Sequence, residues 1–551
     1  MRSRLLTCIT AMTLFAGLAT SIRIDAQEPK GPHAEHHRYK FVDVGTFGGP
    51  VNYLENDFTG GAGGVSGVLN NRGTVAGAAD TSTPDPSFGH GSGFFPSDPL
   101  IMHAFQWQKG VITDMGALPG GNNSIATWIS ANGLIAGFSE NGVIDPQAGI
   151  TQVNAVLWKD GEIINLGGYF SEAFAVNNRG QVVGSGLDTA TLPELNMRAF
   201  RWQNGVMQDL GTLGGPDSFA FLINERGQVA GISSPNSTAS SFCPFPLITH
   251  PFLWDDGKMV DLGTLGGTCG LAMALNNRGQ VVGQSNLAGD QTRHPFLWDK
   301  GTLSDLGTLG GTFGMALWVN DVGEIVGGAT NQNDQAILAF LWKDGVMTNL
   351  GTVDGDACST AAYVNSKGQV VGNSAKNCMF TTDQRAFLWD SGEMIDLNTF
   401  LPPGSNLQLS NGYNINDRGE IVGVGFPPGC ADPFGCGRVF VLIPCDDNHP
   451  GVEDCDYTMV DESATATGSA MPTTTTVKPQ LSPGAIRQLM QSVGSTPWRR
   501  RFWVADKSAG GLGYPISAGY PCGCAPNRDD ITCCPGVAGT TGRAEHSIQT
   551  H

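Results

Sequence analysis

Charge is scarce in this sequence. Only 15 % of its 551 residues are Asp, Glu, Lys or Arg, and no basic stripe runs along it. Nucleic acid and anionic lipid are therefore excluded as expected partners. The usual catalytic signatures are missing too. There is no Gly-x-Ser-x-Gly nucleophile elbow, no His-Glu-x-x-His zinc motif and no Gly-x-x-x-x-Gly-Lys-Ser/Thr phosphate loop. No stretch of about 18 unbroken apolar residues follows the N-terminal segment, so no membrane span is expected once that segment is removed. The glycines lack an every-third-residue period, which excludes collagen.

What is present is glycine, 77 residues of it, and an acidic balance of 31 basic against 50 acidic groups, net -19. At 40 % apolar the chain can bury a sizeable core. Arg2 and Arg4 precede an apolar run from Leu5 to Leu18, with Ala26 as a cleavage edge. Residues 1–26 read as a secretory signal peptide, a retained N-terminal anchor being the alternative. The mature protein is then secreted or periplasmic. Removing Cys8 leaves 12 of 13 cysteines, an even number that favours disulfides in an oxidising compartment. Residues 27–38 form a flexible segment whose His33, His36 and His37 hold a metal only adventitiously, so neither a metal nor a cofactor is expected.

From residue 39 to 445 the chain repeats itself. The line His294-Pro-Phe-Leu-Trp298, Asp305-Leu-Gly-Thr-Leu-Gly-Gly311, Asn320 and Gly323-Glu-Ile-Val-Gly327 recurs throughout. Its tryptophan marker falls at Trp107, Trp158, Trp202, Trp254, Trp298, Trp342 and Trp389, in steps of 44 to 52 residues. About 44 residues is the length of a four-stranded propeller blade. Each unit reads as four strands: Ala-Phe-Leu-Trp; the segment ending at Asp-Leu-Gly; a small-apolar run such as Ala272-Met-Ala-Leu-Asn276; and Gln280-Val-Val-Gly283. Tight turns such as Trp342-Lys-Asp-Gly345 and Asn-x-x-Gly join them, with glycine supplying the positive φ. No helical period interrupts the array, so the fold class is all-β.

The array begins with half a unit, Phe41–Gly49 through Asn70–Gly77, and ends with the missing half, Arg438–Leu442. Complementary halves seal a ring, whereas an open solenoid needs polar caps. A β-propeller of eight four-stranded blades is expected, with seven blades as the alternative.

A second column supports closure. His103, Asn154, Arg198, His250, His294, Leu338 and Arg385 precede the first strand of successive units. Eleven residues later stand Asp114, Asn165, Asp209, Asp261, Asp305, Asn349 and Asp396. Every basic residue is matched by Asp. The expected pairs are His103–Asp114, Arg198–Asp209, His250–Asp261, His294–Asp305, Arg385–Asp396 and, across the closure, Arg438–Asp43. Recurrence in every unit marks them as scaffold.

These motifs together resemble the HAF-repeat family of extracellular bacterial proteins over roughly residues 40–443. The resemblance implies secretion and a repeat fold, and no particular activity. Leu166-Gly-Gly-Tyr-Phe170 and Leu397–Pro403 depart from the pattern.

Because strands alternate in direction, the Trp-x-x-Gly and Asn-x-x-Gly turns share one end of the ring. The Gly-Thr-Leu-Gly-Gly loops and the unit-to-unit connections share the other. Those connections vary from about ten residues before His294 to about 25 before His103. Recognition is expected on this variable face. The connection 80–101 is its richest member, with Asp85, His90, Phe94, Phe95 and Asp98 as candidate ligand-binding residues.

The C-terminal hundred residues differ in kind: an acidic and Thr/Ala-rich linker over 446–480, then a Cys-containing tail over 481–551. Cys430 with Cys436 and Cys445 with Cys455 are the natural local disulfides, and Cys358 with Cys378 is a further candidate. Cys522, Cys524, Cys533 and Cys534 suit a disulfide knot better than zinc. The reading is a secreted, monomeric binding protein that contacts a glycan or protein, with no catalytic residues. The alternative is an exported propeller hydrolase or lyase acting on polysaccharide, with carboxylates converging at the ring axis.

Overall fold

Glycine and phenylalanine positions explain how each unit builds a sheet. In blade 5 the strands are Gly266–Leu275, Val281–Leu287, Arg293–Asp299 and Thr302–Asp305, all antiparallel to their neighbours. We call them strands a to d from the axis outward. Gly283 on strand b lies under a bulge of strand a, where a β-carbon would collide with the Leu271 carbonyl. The same collision with strand a recurs at Gly77, Gly137, Gly184, Gly231, Gly327, Gly372 and Gly423. On strand c, Phe105, Phe252, Phe296, Phe340, Phe387 and Phe440 are fully buried. Several of these rings occupy the space the strand-b glycines leave free. The Val-Val-Gly signature is thus a packing requirement as well as turn punctuation.

The computed structural model describes residues 38–452, leaving out 55–66, parts of 87–97, residues 147–148, 192–195, 244–246, 379–383, 431–432 and 451. Within them the chain forms eight four-stranded blades. Blade 1 is built from 48–114, blade 2 from 124–167, blade 3 from 169–209 and blade 4 from 218–261. Blades 5, 6 and 7 span 266–305, 310–351 and 358–396. Blade 8 takes strands a to c from 408–444 and its outermost strand from Tyr39–Asp43, which pairs with Arg438–Pro444. One parallel pairing, Arg293 with Phe313, joins the sheets of blades 5 and 6. The architecture is an all-β propeller of eight blades rather than seven. One expectation needs correction. The unit that opens on the His-x-Phe strand straddles two blades, supplying strands c and d of one and a and b of the next. The Gly-Thr-Leu-Gly-Gly loop is the crossing point, because its left-handed glycines turn the chain from rim to axis.

Side-chain amides bind blade to blade. The Asn of each Asn-x-x-Gly turn caps its own turn through Oδ1, as Asn276 does for the amides of Arg278 and Gln280 at 3.0 Å. Its Nδ2 then donates to the carbonyl of the equivalent Asn one blade on. The chain runs Asn177 to Asn224, Asn276, Asn320, Asn365 and Asn416, and returns from Asn416 to Asn70 at 3.0 Å. Blade 2 carries Ser130 here, and Asn132 makes the step to Asn178 instead. This belt spans the ring closure, as do contacts between the strands of blades 8 and 1.

Candidate functional site

The connections between strands b and c gather at one end of the ring with the Gly-Thr-Leu-Gly-Gly loops. The column of cations and carboxylates lies at that end. His103, His250 and His294 each place Nδ1 about 3 Å from both oxygens of Asp114, Asp261 and Asp305. The register sets Asp114 opposite Phe105, so these are diagonal pairs. Arg438 reaches Asp43 at 2.9 Å across the closure. Arg385 holds Asp396 at 3.1 Å and also Asp356 at 2.8 Å. The expected Arg198–Asp209 pair is not made. Arg198 turns instead to Asp188 at 3.2 Å and to the Pro216 carbonyl at 2.9 Å. Asp188 sits at the start of the b–c connection and offers a nearer carboxylate. In blade 2 the neutral pair Asn154–Asn165 keeps the contact as an amide hydrogen bond of 3.4 Å.

Connection 80–101 is tied to the scaffold. Asp85 accepts from Nδ2 of Asn123 in blade 2 at 3.0 Å. Asp98 accepts from the Tyr53 hydroxyl and the Leu100 amide at 2.8 Å. Phe95 packs on Phe138 with ring centroids 5.3 Å apart. Phe88 is exposed, and His90 and Phe94 lie outside the described residues. Around these anchors stand acids that motif reading passed over. Asp80 is fully buried, accepts from the Val51 amide, and leaves Oδ1 without a partner. Burial, helped by the charge of Asp98 and opposed by the Val51 hydrogen bond, pushes its pKa up to about 7. Burial also raises Glu140, with Asp85 adding to the effect and the amides of Asn122 and Asn123 opposing it. Asp145 accepts from the Tyr169 hydroxyl at 2.6 Å. Asp80 and Glu140 share one column, three residues after the strand-b glycine, where blades 4 and 5 carry Ser234 and Asn286. Comparing columns beyond the first strand would have exposed them.

Three disulfides are formed among the described residues, Cys243–Cys269, Cys358–Cys378 and Cys430–Cys436. The first was not anticipated, because its partners lie in different blades. Cys445 is disulfide-bonded to a partner outside the described residues. Cys455, Cys522, Cys524, Cys533 and Cys534 also lie outside them, as do the signal peptide, the His33–His37 segment and the tail. Among the described residues no group of three or more His, Cys, Asp or Glu is placed to hold a metal, and no helix is long and apolar enough to cross a membrane.

Aromatic rings meet at the ring axis. Trp128 of blade 2 and Trp318 of blade 6 come from opposite sides, and their rings meet with centroids 6.4 Å apart. Trp318 stacks on Tyr363 of blade 7 at 4.2 Å. Phe174, Phe221 and Met273 pack into the same core. Among the described residues the axis is lined by these aromatic and apolar side chains.

Neither a protein-family model nor a curated protein sequence matches the chain. Among solved structures it is similar to the β-propeller domain of the Trilobed protease from Pyrococcus furiosus. That match has 10 % identity and a TM-score of 0.36, covering 62 % of this chain and all of that one. It is also similar to Porphyromonas gingivalis dipeptidyl peptidase 4, at 10 % identity and TM-score 0.38, over 74 % of this chain and 63 % of that one. TolB from Acinetobacter baumannii matches at 11 % identity and TM-score 0.29, covering 53 % and 76 % respectively.

Proposed function

We propose that this protein is an exported binding platform whose recognition surface is the face built by the b–c connections, and that its ligand is a glycan or a protein. One observation carries the reading: each described disulfide has at least one cysteine in such a connection. Cys243 lies in the connection of blade 4, Cys378 in that of blade 7, and Cys430 and Cys436 in that of blade 8. Cross-links placed in variable loops lower the ordering cost of binding, which is where a recognition surface benefits. Disulfides suit an oxidising compartment, and the resemblance to HAF-repeat proteins supports export in the same direction. The decisive experiment expresses the protein through its own signal and screens it on a glycan array and by pull-down from the native medium. Binding abolished by exchanging the connections 80–101 and 234–249 is expected. Binding indifferent to those exchanges overturns the proposal.

A second reading is favoured by Asp80. A carboxyl with a pKa near neutrality beside a second carboxylate is the arrangement of a general acid. Its complete burial keeps it from substrate, so the hydrolase or lyase reading stands second. Release of reducing ends from polysaccharide, lost in Asp80→Asn, would reverse the order.

A further inference from the structure

The opposite face carries a built feature that the binding reading does not use. Strand a of every blade except the first, whose equivalent stretch lies partly outside the described residues, bulges just before its Asn-x-x-Gly turn or, in blade 2, the Ser130–Gly133 turn. Bulges re-aim side chains, and here they act on the column two residues before the turn. That column reads Val68, Trp128, Ala175, Leu222, Ala274, Trp318, Tyr363 and Asn414. Three blades therefore break the repeat by placing large aromatics where others place mostly small or aliphatic residues. Trp128, Trp318 and Tyr363 are all partly exposed, although they meet at the centre of the ring. Neither indole nitrogen nor the Tyr363 hydroxyl hydrogen-bonds a protein group among the described residues. Burial, with Asp417 and Asp321 on either side, raises the Tyr363 pKa, so its hydroxyl remains a donor.

Two rings of polar side chains stand above this floor. In five of the blade-to-blade steps the first residue after the turn Asn bonds its counterpart in the next blade. Asn277 bonds Asp321 through both amide and side chain at 2.8 Å, and the Asp417 amide donates to Asn71 at 2.9 Å. The second residue is basic in six of the eight turns: Arg72, Arg179, Arg226, Arg278, Lys367 and Arg418. Five of the six are exposed. Arg278 spends one donor on the Val322 carbonyl at 2.9 Å, and Arg72 one on Asn132 at 3.2 Å. Arg226 gives one to the Arg278 carbonyl at 3.4 Å and Arg418 lies 3.7 Å from Glu420; each guanidinium carries five N–H donors, so the exposed ones keep donors to spare. In a chain of net charge -19 this face carries six cations in one column, beside Glu225, Asp321 and Asp417 in the first ring.

We propose that the axial mouth on the Asn-turn face binds an acidic saccharide. One sugar face packs on the exposed indole surface, its hydroxyls meet the unpartnered N–H and O–H groups and the Asn/Asp ring, and its carboxylate meets the guanidinium rim. This site is independent of the opposite face. Intrinsic tryptophan fluorescence and calorimetry on the full secreted chain test it, with oligogalacturonate as probe and a neutral cello-oligosaccharide of equal length as comparison. The acidic oligomer should bind at least about tenfold tighter than the neutral one. Arg226→Gln with Arg278→Gln should erase that preference while the protein keeps a cooperative thermal transition. Trp318→Leu should weaken both sugars by about tenfold or more. Exchanging the b–c connections should leave the affinity unchanged, which separates this proposal from the preceding one. Absence of acidic-saccharide binding at millimolar concentration, or unaltered affinity in both variants, overturns it.

Discussion

The ring of Pro295 lies where a β-carbon of residue 314 would have to sit, 2.7 Å from it. Pro251 and Gly270 make the same pair one blade earlier, at 2.6 Å. In four other blades strand c has Ala at this position, and its amide donates to a Ser hydroxyl on strand a of the next blade. Ala104–Ser124, Ala155–Ser171, Ala199–Ser218 and Ala339–Ser359 all do so at 2.9 Å. Proline has no N–H to donate and brings a ring instead, so its partner must be glycine.

That exchange predicts a compensated double mutant. Gly314→Ser alone should cost roughly 1–3 kcal/mol through overpacking against the proline ring. Adding Pro295→Ala restores an N–H for the new hydroxyl and should recover most of the loss. Chemical denaturation of the single and double variants measures the coupling, and additive effects would contradict the pairing.

Closure should depend more on a buried amide than on a visible ion pair. Asn416→Ala breaks the belt to Asn70 and leaves the amides of Arg418 and Glu420 without their Oδ1 cap, a loss of about 1–3 kcal/mol. Asp43→Ala removes the partner of Arg438, but both side chains are well exposed, at 39 % and 29 %. Its cost should stay within about 1 kcal/mol and shrink with salt. Urea midpoints at low and high ionic strength compare the two.

Stability should respond to pH in opposite directions at two kinds of carboxyl. Burial alone would raise Asp114 and Asp261, but hydrogen bonds from His103 and His250 and from the Gly116 and Gly263 amides bring both below the usual value. Their contribution is present above the ordinary carboxylate pKa of about 4 and is lost as the pH falls through the lowered folded value. Asp80 is the reverse case, since its folded pKa is raised to about 7. Its contribution is full below about pH 4 and is lost as the pH rises toward 7. Asp80→Asn should be close to neutral at pH 4 and stabilising at pH 8, by up to about 4 kcal/mol. Denaturation curves at the two pH values decide it.

Reduction should loosen one face before the ring. Cys243 and Cys269 are separated by 26 residues, so replacing both with Ser should cost about 3 kcal/mol. Limited proteolysis should then cut first within 234–249, with the strands of blades 4 and 5 still protected. First cuts in the Asn-x-x-Gly turns would contradict the placement of the cross-link.

Repetition made the architecture legible. A 44-residue period, glycines at fixed turns and complementary ends follow from patterns that local chemistry writes into every unit, and so does the Arg438–Asp43 closure. The sequence alone also identified the variable face and the connection 80–101, because loop length is visible without coordinates. It could not assign strands to blades, since the repeat period is indifferent to where a sheet begins. It misplaced Arg198 because Asp188, which competes for the guanidinium, lies in a connection that follows no repeat. Cys243–Cys269 and the acids Asp80 and Glu140 needed the fold for a related reason: their meaning depends on a neighbouring blade. The axis belongs wholly to tertiary structure. Trp128 and Trp318 are 190 residues apart in the chain, and only closure of an eight-bladed ring brings them together. Local sequence determined the blades; the width of the ring decided what fills its centre.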